Sequence, residues 1–239
     1  LAAGLAAGFV ALNVRRQMEA ATRSVAERNR AISMFGQHVS PEVAELLLSQ
    51  PVDVGGQERE VCIMFLDIRD FSKIAADRTP QEVVDYLNTL FGELINAVNG
   101  NDGIVNKFLG DGFMAVFGAP IDSENAPTRA LEAAFQMLEI IERLNEEGRI
   151  PHTRVGVGLH MGQVVTGNVG SEQRKEYTII GDAVNLAARI ERATKSFSAQ
   201  ILVSDAVHAR LPEGRFDAED LGAVELKGQA RPARLFQLA

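Results

Sequence analysis

Two aspartates stand where carboxylates could hold a metal ion. Asp67 follows the apolar run 61–66 (VCIMFL), and Asp111 sits in Gly110-Asp111-Gly112, between the apolar runs 104–109 and 113–117. A short apolar run reads as a buried strand, and Asp-Gly between two such runs is a hairpin signal. Both acids therefore fall at strand ends. Each alone has a plainer reading, Asp111 as turn chemistry and Asp67 as an acid ahead of a helix. Together, with no basic residue beside them in sequence, they suit a hard divalent cation that fills its remaining shell with phosphate oxygens and water.

The next segment favours phosphate. Residues 68–73 (IRDFSK) leave the first strand and enter a helix start, where backbone N–H groups lack intrahelical partners and attract anions. No GxxxxGK[ST] occurs, which excludes an ordinary P-loop. Gly156, Gly158 and Gly162 lack the dinucleotide-binding spacing and read as strand and turn glycines. The 4 histidines show no metal-ligand spacing with one another or with Cys62, so zinc is not expected. Asn185 and Arg189, four apart in a predicted helix, share one face.

The elements that must position these residues alternate between strand and helix. A helix is expected from Thr79-Pro80 with a stripe of Val84, Leu87, Phe91, Leu94 and Val98. Another covers 128–147 through Leu131, Phe135, Leu138, Ile141 and Leu144. Residues 154–159 and 164–169 read as two strands, 181–195 as a helix and 201–203 as a strand, with short strands near 224–226 and 234–238. The order strand–helix–strand–strand–helix–strand predicts an α+β fold, a ferredoxin-like split βαβ core (βαββαβ) with additional C-terminal strands. It implies one sheet with helices on one face and the first strand and hairpin at its centre.

Of the 239 residues, 46% are hydrophobic and 23% charged, a composition with enough apolar material for one large domain. The net charge of -8 argues against a nucleic-acid groove. A single cysteine excludes an internal disulfide framework. Residues 1–12 (LAAGLAAGFVAL) are uncharged and lead into Arg15 and Arg16, as at the cytoplasmic end of a truncated transmembrane helix. Val14, Met18, Ala21, Val25, Arg28, Ile32 and Phe35 then form a heptad seam that predicts a short parallel coiled coil. Residues 13–50 thus read as a coiled-coil helix and a linker helix, with a boundary at 51–57 ahead of a separate domain over 57–239.

Three segments carry a resemblance. Asp67-Ile68-Arg69-Asp70-Phe71-Ser72, Lys107-Phe108-Leu109-Gly110-Asp111 and Tyr177-Thr178-Ile179-Ile180-Gly181-Asp182-Ala183-Val184-Asn185-Leu186-Ala187-Ala188-Arg189 resemble, in order and separation, the motifs of class III nucleotidyl cyclase catalytic domains. The likeness runs from about Glu60 to Leu238, and residues 35–48 resemble the segment preceding such domains in bacterial membrane-bound cyclases. It implies that Asp67 and Asp111, with the Ile68 carbonyl, hold two Mg²⁺ ions, Mn²⁺ being a substitute. It also implies that the amides from Ile68 through Phe71 to Ser72 hold the β- and γ-phosphates. Lys107 and Thr178 match the pair that reads the purine. A lysine can donate to adenine N1, whereas guanylyl cyclases place glutamate and cysteine there, so the resemblance is to an ATP user.

Many adenylyl cyclases carry aspartate where this chain has Thr178, a departure resembling the class IIIb subgroup, in which bicarbonate stimulation is known. Asn185 and Arg189 match the transition-state pair, and Lys227 the lysine on the terminal phosphates. Cys62 and His160 read as core or strand residues. The resemblance further implies a homodimer with head-to-tail catalytic domains, each site taking its metal aspartates from one protomer and its purine and transition-state residues from the other. With the N-terminal helix, it implies anchoring in the inner membrane and a cytoplasmic catalytic domain. A guanylyl cyclase and an inactive nucleotide-binding or dimerisation domain are the competing readings; no GGDEF-like run supports a diguanylate cyclase.

Overall fold

The computed structural model describes residues 56–120, 123, 125–171 and 174–238. The expectations for 1–12 and 13–50, membrane end and coiled coil, lie outside the described residues. Strand β1 (Gln57–Ile68) leads through a short helix α1 (Phe71–Ala76) to α2 (Pro80–Gly100). The hairpin β2 (Gly103–Phe108) and β3 (Gly112–Phe117) follows, then α3 (Ala126–Glu146), β4 (Val155–Ser171) and β5 (Arg174–Ile180). Helix α4 (Asp182–Phe197), β6 (Ile201–Ser204), a one-turn α5 (Asp205–His208), β7 (Ala218–Val224) and β8 (Ala233–Leu238) complete the domain. The strands form an 8-stranded sheet ordered β2-β3-β1-β4-β6-β8-β7, with β5 paired to β4. This is the α+β split βαβ core, extended by C-terminal strands.

Local chemistry sets the element ends. Thr79 caps α2 with a full capping box, its side chain accepting from the Glu82 amide while the Glu82 carboxylate accepts from the Thr79 amide at 2.7 Å. Pro80 then occupies the first helical turn, where its missing N–H costs nothing. Strand alternation divides the interior between the two faces of the sheet. Cys62, Met64, Leu66 and Ile68 of β1 join Phe113, Ala115 and Phe117 of β3 against α2 and α3 in the main core. Leu202 of β6 and Leu235 of β8 join Ile190 and Ala193 of α4 in a second cluster.

That second cluster corrects the expectation of helices on one face, because α4 covers the other. The reason lies in the β4 glycines. A Cβ on Gly158 would sit 2.2 Å from the Glu191 amide nitrogen, and one on Gly162 would sit 2.8 Å from the Ala183 Cβ. These glycines let a helix backbone lie directly on the sheet. Three smaller expectations also change. The two strands expected at 154–159 and 164–169 are one 17-residue strand, β4 (Val155–Ser171). The hairpin is not central, since β2 ends the strand order. On α2 the buried residues include Tyr86, Leu90 and Leu94, while Val84 is 48% exposed, so the predicted stripe is rotated at its N-terminal end. Strand β5 was not anticipated, because its charged start (Arg174-Lys175-Glu176) hides any apolar run.

Candidate active site

Asp67 and Asp111 are brought together by backbone. The Ile68 N–H donates to the Asp111 carbonyl at 3.2 Å, and the Leu109 N–H closes the turn on the Gly112 carbonyl at 2.8 Å. In the β1–β3 register Asp67 stands opposite Gly112, where a Cβ would fall 2.1 Å from the Leu66 carbonyl oxygen. Only glycine permits that approach. Gly110, at φ 81, supplies the left-handed step of the same turn. From the other side, Phe108 stacks on Phe91 of α2 at 5.5 Å between ring centroids, which pins the hairpin to the helix layer.

The pair behaves as a like-charge site. Burial, and then the Asp67 charge, hold the Asp111 carboxyl above its ordinary range. A cation is already drawn there, since Lys195 of α4 places its Nζ 3.2 Å from Asp67 Oδ2. Among the described residues no group of three or more metal-ligating side chains gathers. The protein thus offers two carboxylates and leaves the rest of a coordination shell to backbone carbonyl, phosphate and water, a donor set that fits Mg²⁺ or Mn²⁺. The surrounding cleft, of about 520 Å³, is lined by Asp67, Ile68, Phe71, Ser72 and Asp111 together with Lys73, Arg154 and Lys195.

Two of the five amides expected to face phosphate are used inside the fold. Ile68 donates to Asp111, and Arg69 donates to the Arg154 carbonyl at 2.8 Å. The amides of Asp70, Phe71 and Ser72 begin α1. Asp70 turns the chain there at φ 55, and its carboxyl is held low by Lys73, which sits 2.9 Å away.

The other expected residues lie elsewhere. Asn185 is exposed on α4, and Arg189, one turn on, donates to the Gln229 side chain. Arg189 and Lys227 line a separate groove of about 770 Å³. Lys107 is half-buried on β2 at one end of the strand order, and Thr178 is 9% exposed on β5, paired with Gly167 of β4. Within one chain the metal candidates, with Phe71 and Ser72, form one cleft. Arg189 and Lys227 form another.

Sequence reasoning missed the support beneath the acids. Arg69 Nη1 donates to Glu191 Oε1 at 3.1 Å, with side chains only 13% and 8% exposed. Burial, then the Asp67 charge, push the Glu191 carboxyl up to about 7, against the opposing pull of Arg69 and Lys195. Gly156 makes room for this pair, since a Cβ there would overlap the Arg69 guanidinium. One signal was available: Glu191 interrupts the α4 face formed by Ala187, Ile190 and Thr194.

Comparison with known proteins places this geometry. The profile of the adenylate and guanylate cyclase catalytic domain matches residues 55–239, and the chain belongs to that family, the class III nucleotidyl cyclases. An uncharacterized protein of Mycobacterium tuberculosis is 36% identical over 223 residues, which are 93% of this chain and 41% of the relative. The chain thus spans well under half the length of that relative. The adenylyl cyclase CyaB from P. aeruginosa superimposes with TM-score 0.71 at 27% identity, over 78% of this chain and 96% of that one. The guanylyl cyclase Cya2 superimposes with TM-score 0.71 at 29% identity, over 78% and 94%.

Proposed function

We propose that the chain is the catalytic part of an adenylyl cyclase that converts ATP to 3′,5′-cyclic AMP and pyrophosphate at sites shared by two copies. The observation that carries the reading is the division just described: the acidic cleft and the Arg189–Lys227 groove are separate within one chain. Head-to-tail pairing about a twofold axis would bring the cleft of one copy to the groove of the other, giving two sites.

In each site Asp67, Asp111 and the Ile68 carbonyl would hold the divalent cations, Mg²⁺ with Mn²⁺ as a substitute. Bound there, they would supply charge neutralisation for the phosphates and a lowered pKa for the ribose 3′-hydroxyl. The amides of Phe71 and Ser72 receive the terminal phosphates, as does Lys227 of the second copy. Lys107 donates to adenine N1, with Thr178 beside it. Asn185 orients the ribose. Arg189 leaves Gln229 for the α-phosphate, where a planar, permanently charged guanidinium stabilises charge that grows in the transition state. The 3′-oxygen forms its bond to the α-phosphorus in line as the bond to pyrophosphate breaks, and the hydroxyl proton passes to solvent. The side chains position and neutralise rather than react.

Complementation tests the shared site. Asp67→Ala and Asn185→Ala are each expected to be nearly inactive, and their mixture to regain part of the activity, because a mixed pair contains one intact site. A dead mixture in which mixed dimers demonstrably form would sink the model. A guanylyl cyclase is the second reading, favoured by the likeness to Cya2. Turnover of ATP against GTP separates the two, and Lys107 supports ATP.

Membrane anchoring and cytoplasmic placement of the domain rest on residues 1–16. Among the described residues no helix is long and apolar enough to cross a membrane. We further infer that a coil formed by the seam at 14–35 gates activity, because a change in its register would shift the two catalytic domains relative to each other. Fusing a stable zipper in shifted registers ahead of Gly36 tests this. Activity indifferent to register would end that idea.

A further inference from the structure

We propose that Lys195 is a built-in competitor for the divalent cation at Asp67. This inference rests on the metal-binding reading of Asp67 and extends it to a residue that no motif marks.

The ion pair is held in place by packing at two levels. Helix α4 lies against β4 with no side chain between backbones at Gly158, and Glu191 is fixed to Arg69 one turn before Lys195. The last turn of α4 is therefore delivered to the end of β1, where Lys195 Nζ stands 3.2 Å from Asp67 Oδ2. The Asp67 side chain is 26% exposed and that of Lys195 56%, so the carboxylate is largely inside while the ammonium remains open to the cleft. One ammonium does not balance the neighbouring acids. Asp67 and Asp111 line the same cleft as Lys195, and a dication held there would neutralise more of their charge.

A dication held by the Asp67 carboxylate would have to share that carboxylate with the Lys195 ammonium, which stands 3.2 Å from Oδ2. An ammonium beside the site also repels the incoming charge. Lys195 therefore weakens metal binding in the absence of nucleotide. Its freed Nζ stays in the cleft with Arg154 and Lys73, which is lined by the groups assigned to the terminal phosphates.

Asp67, Asp111 and Lys195 belong to one chain, so the test needs no assembled dimer and no turnover. Mn²⁺ alone is titrated into the full chain, and the free ion is followed by its electron paramagnetic resonance signal. Lys195→Gln, which keeps most of the side-chain length without the charge, is expected to bind Mn²⁺ roughly threefold tighter than wild type, the scale of a partly exposed ion pair. Lys195→Arg keeps the charge and is expected to match wild type or bind more weakly. Asp67→Asn is expected to remove the site in either background. Unchanged or weaker binding by Lys195→Gln overturns the role of Lys195 while leaving the Asp67 reading intact. Equal binding by wild type and Asp67→Asn overturns both.

Discussion

Replacing Gly112 with alanine tests whether the metal pair is built by backbone contact. The added Cβ would lie 2.1 Å from the Leu66 carbonyl oxygen and 3.2 Å from the Asp67 Cα. Side-chain carbons are not found closer than about 3.0 Å to such atoms, so β3 must recede from β1 by about 1 Å at this point. Neither neighbour can yield by rotating, because both are main chain inside a paired register. Overpacking of this kind typically costs about 1–3 kcal/mol of stability. A displacement of about 1 Å between Asp111 and Asp67 is expected to lower turnover about a hundredfold. The assay is cyclic nucleotide formation from ATP, beside urea unfolding followed by circular dichroism and the Mn²⁺ titration. Turnover should fall far more than the folded fraction, and Mn²⁺ should bind more weakly. Wild-type turnover with an unchanged urea midpoint would refute the claim that this contact sets the spacing of the aspartates.

Other outcomes follow from the same packing. Arg69→Met leaves the buried Glu191 carboxylate without its partner, at a cost of about 3–5 kcal/mol when ionised. Glu191 titrates near 7 in the fold, above its ordinary range, so the stability it contributes is lost as pH rises through that value; urea unfolding should show a larger deficit at about pH 8 than at about pH 5. An equal deficit at both would contradict this. His160 is held down to about 4 by burial, with its Nδ1 2.8 Å from Ser204 Oγ and Asp205 opposing the shift. The native state then binds fewer protons than the unfolded state between about 4 and 6.5, so wild-type stability falls as pH drops through that window, and His160→Gln should lose that part of the slope. Thr79→Ala removes the capping oxygen of α2 and should lower stability by about 1 kcal/mol with little effect on metal binding.

Much of the fold was legible locally. The hairpin followed from Asp-Gly between two apolar runs, and the start of α2 from Thr79-Pro80. The register of the α2 stripe was less so, because Val84 is apolar but exposed and Tyr86 is amphipathic but buried. The break expected at 160–163 has a related cause. Gly162 reads as a turn until the helix that needs its space is known, and α4 follows β4 only after the β5 return.

What the sequence by itself determined is the inventory and the local frames: two aspartates at strand ends, a hairpin to carry one, and a helix with Asn185 and Arg189 on one face. These depend on near neighbours, through turn preference, capping and helical or strand period. The tertiary structure decided which of them meet. Lys195 reaches Asp67 across 128 positions, and Arg69 reaches Glu191 across 122. No periodicity spans such distances. The contacts exist because glycines on one face of β4 admit α4 against the sheet, a matter of excluded volume between segments that only the folded chain brings together.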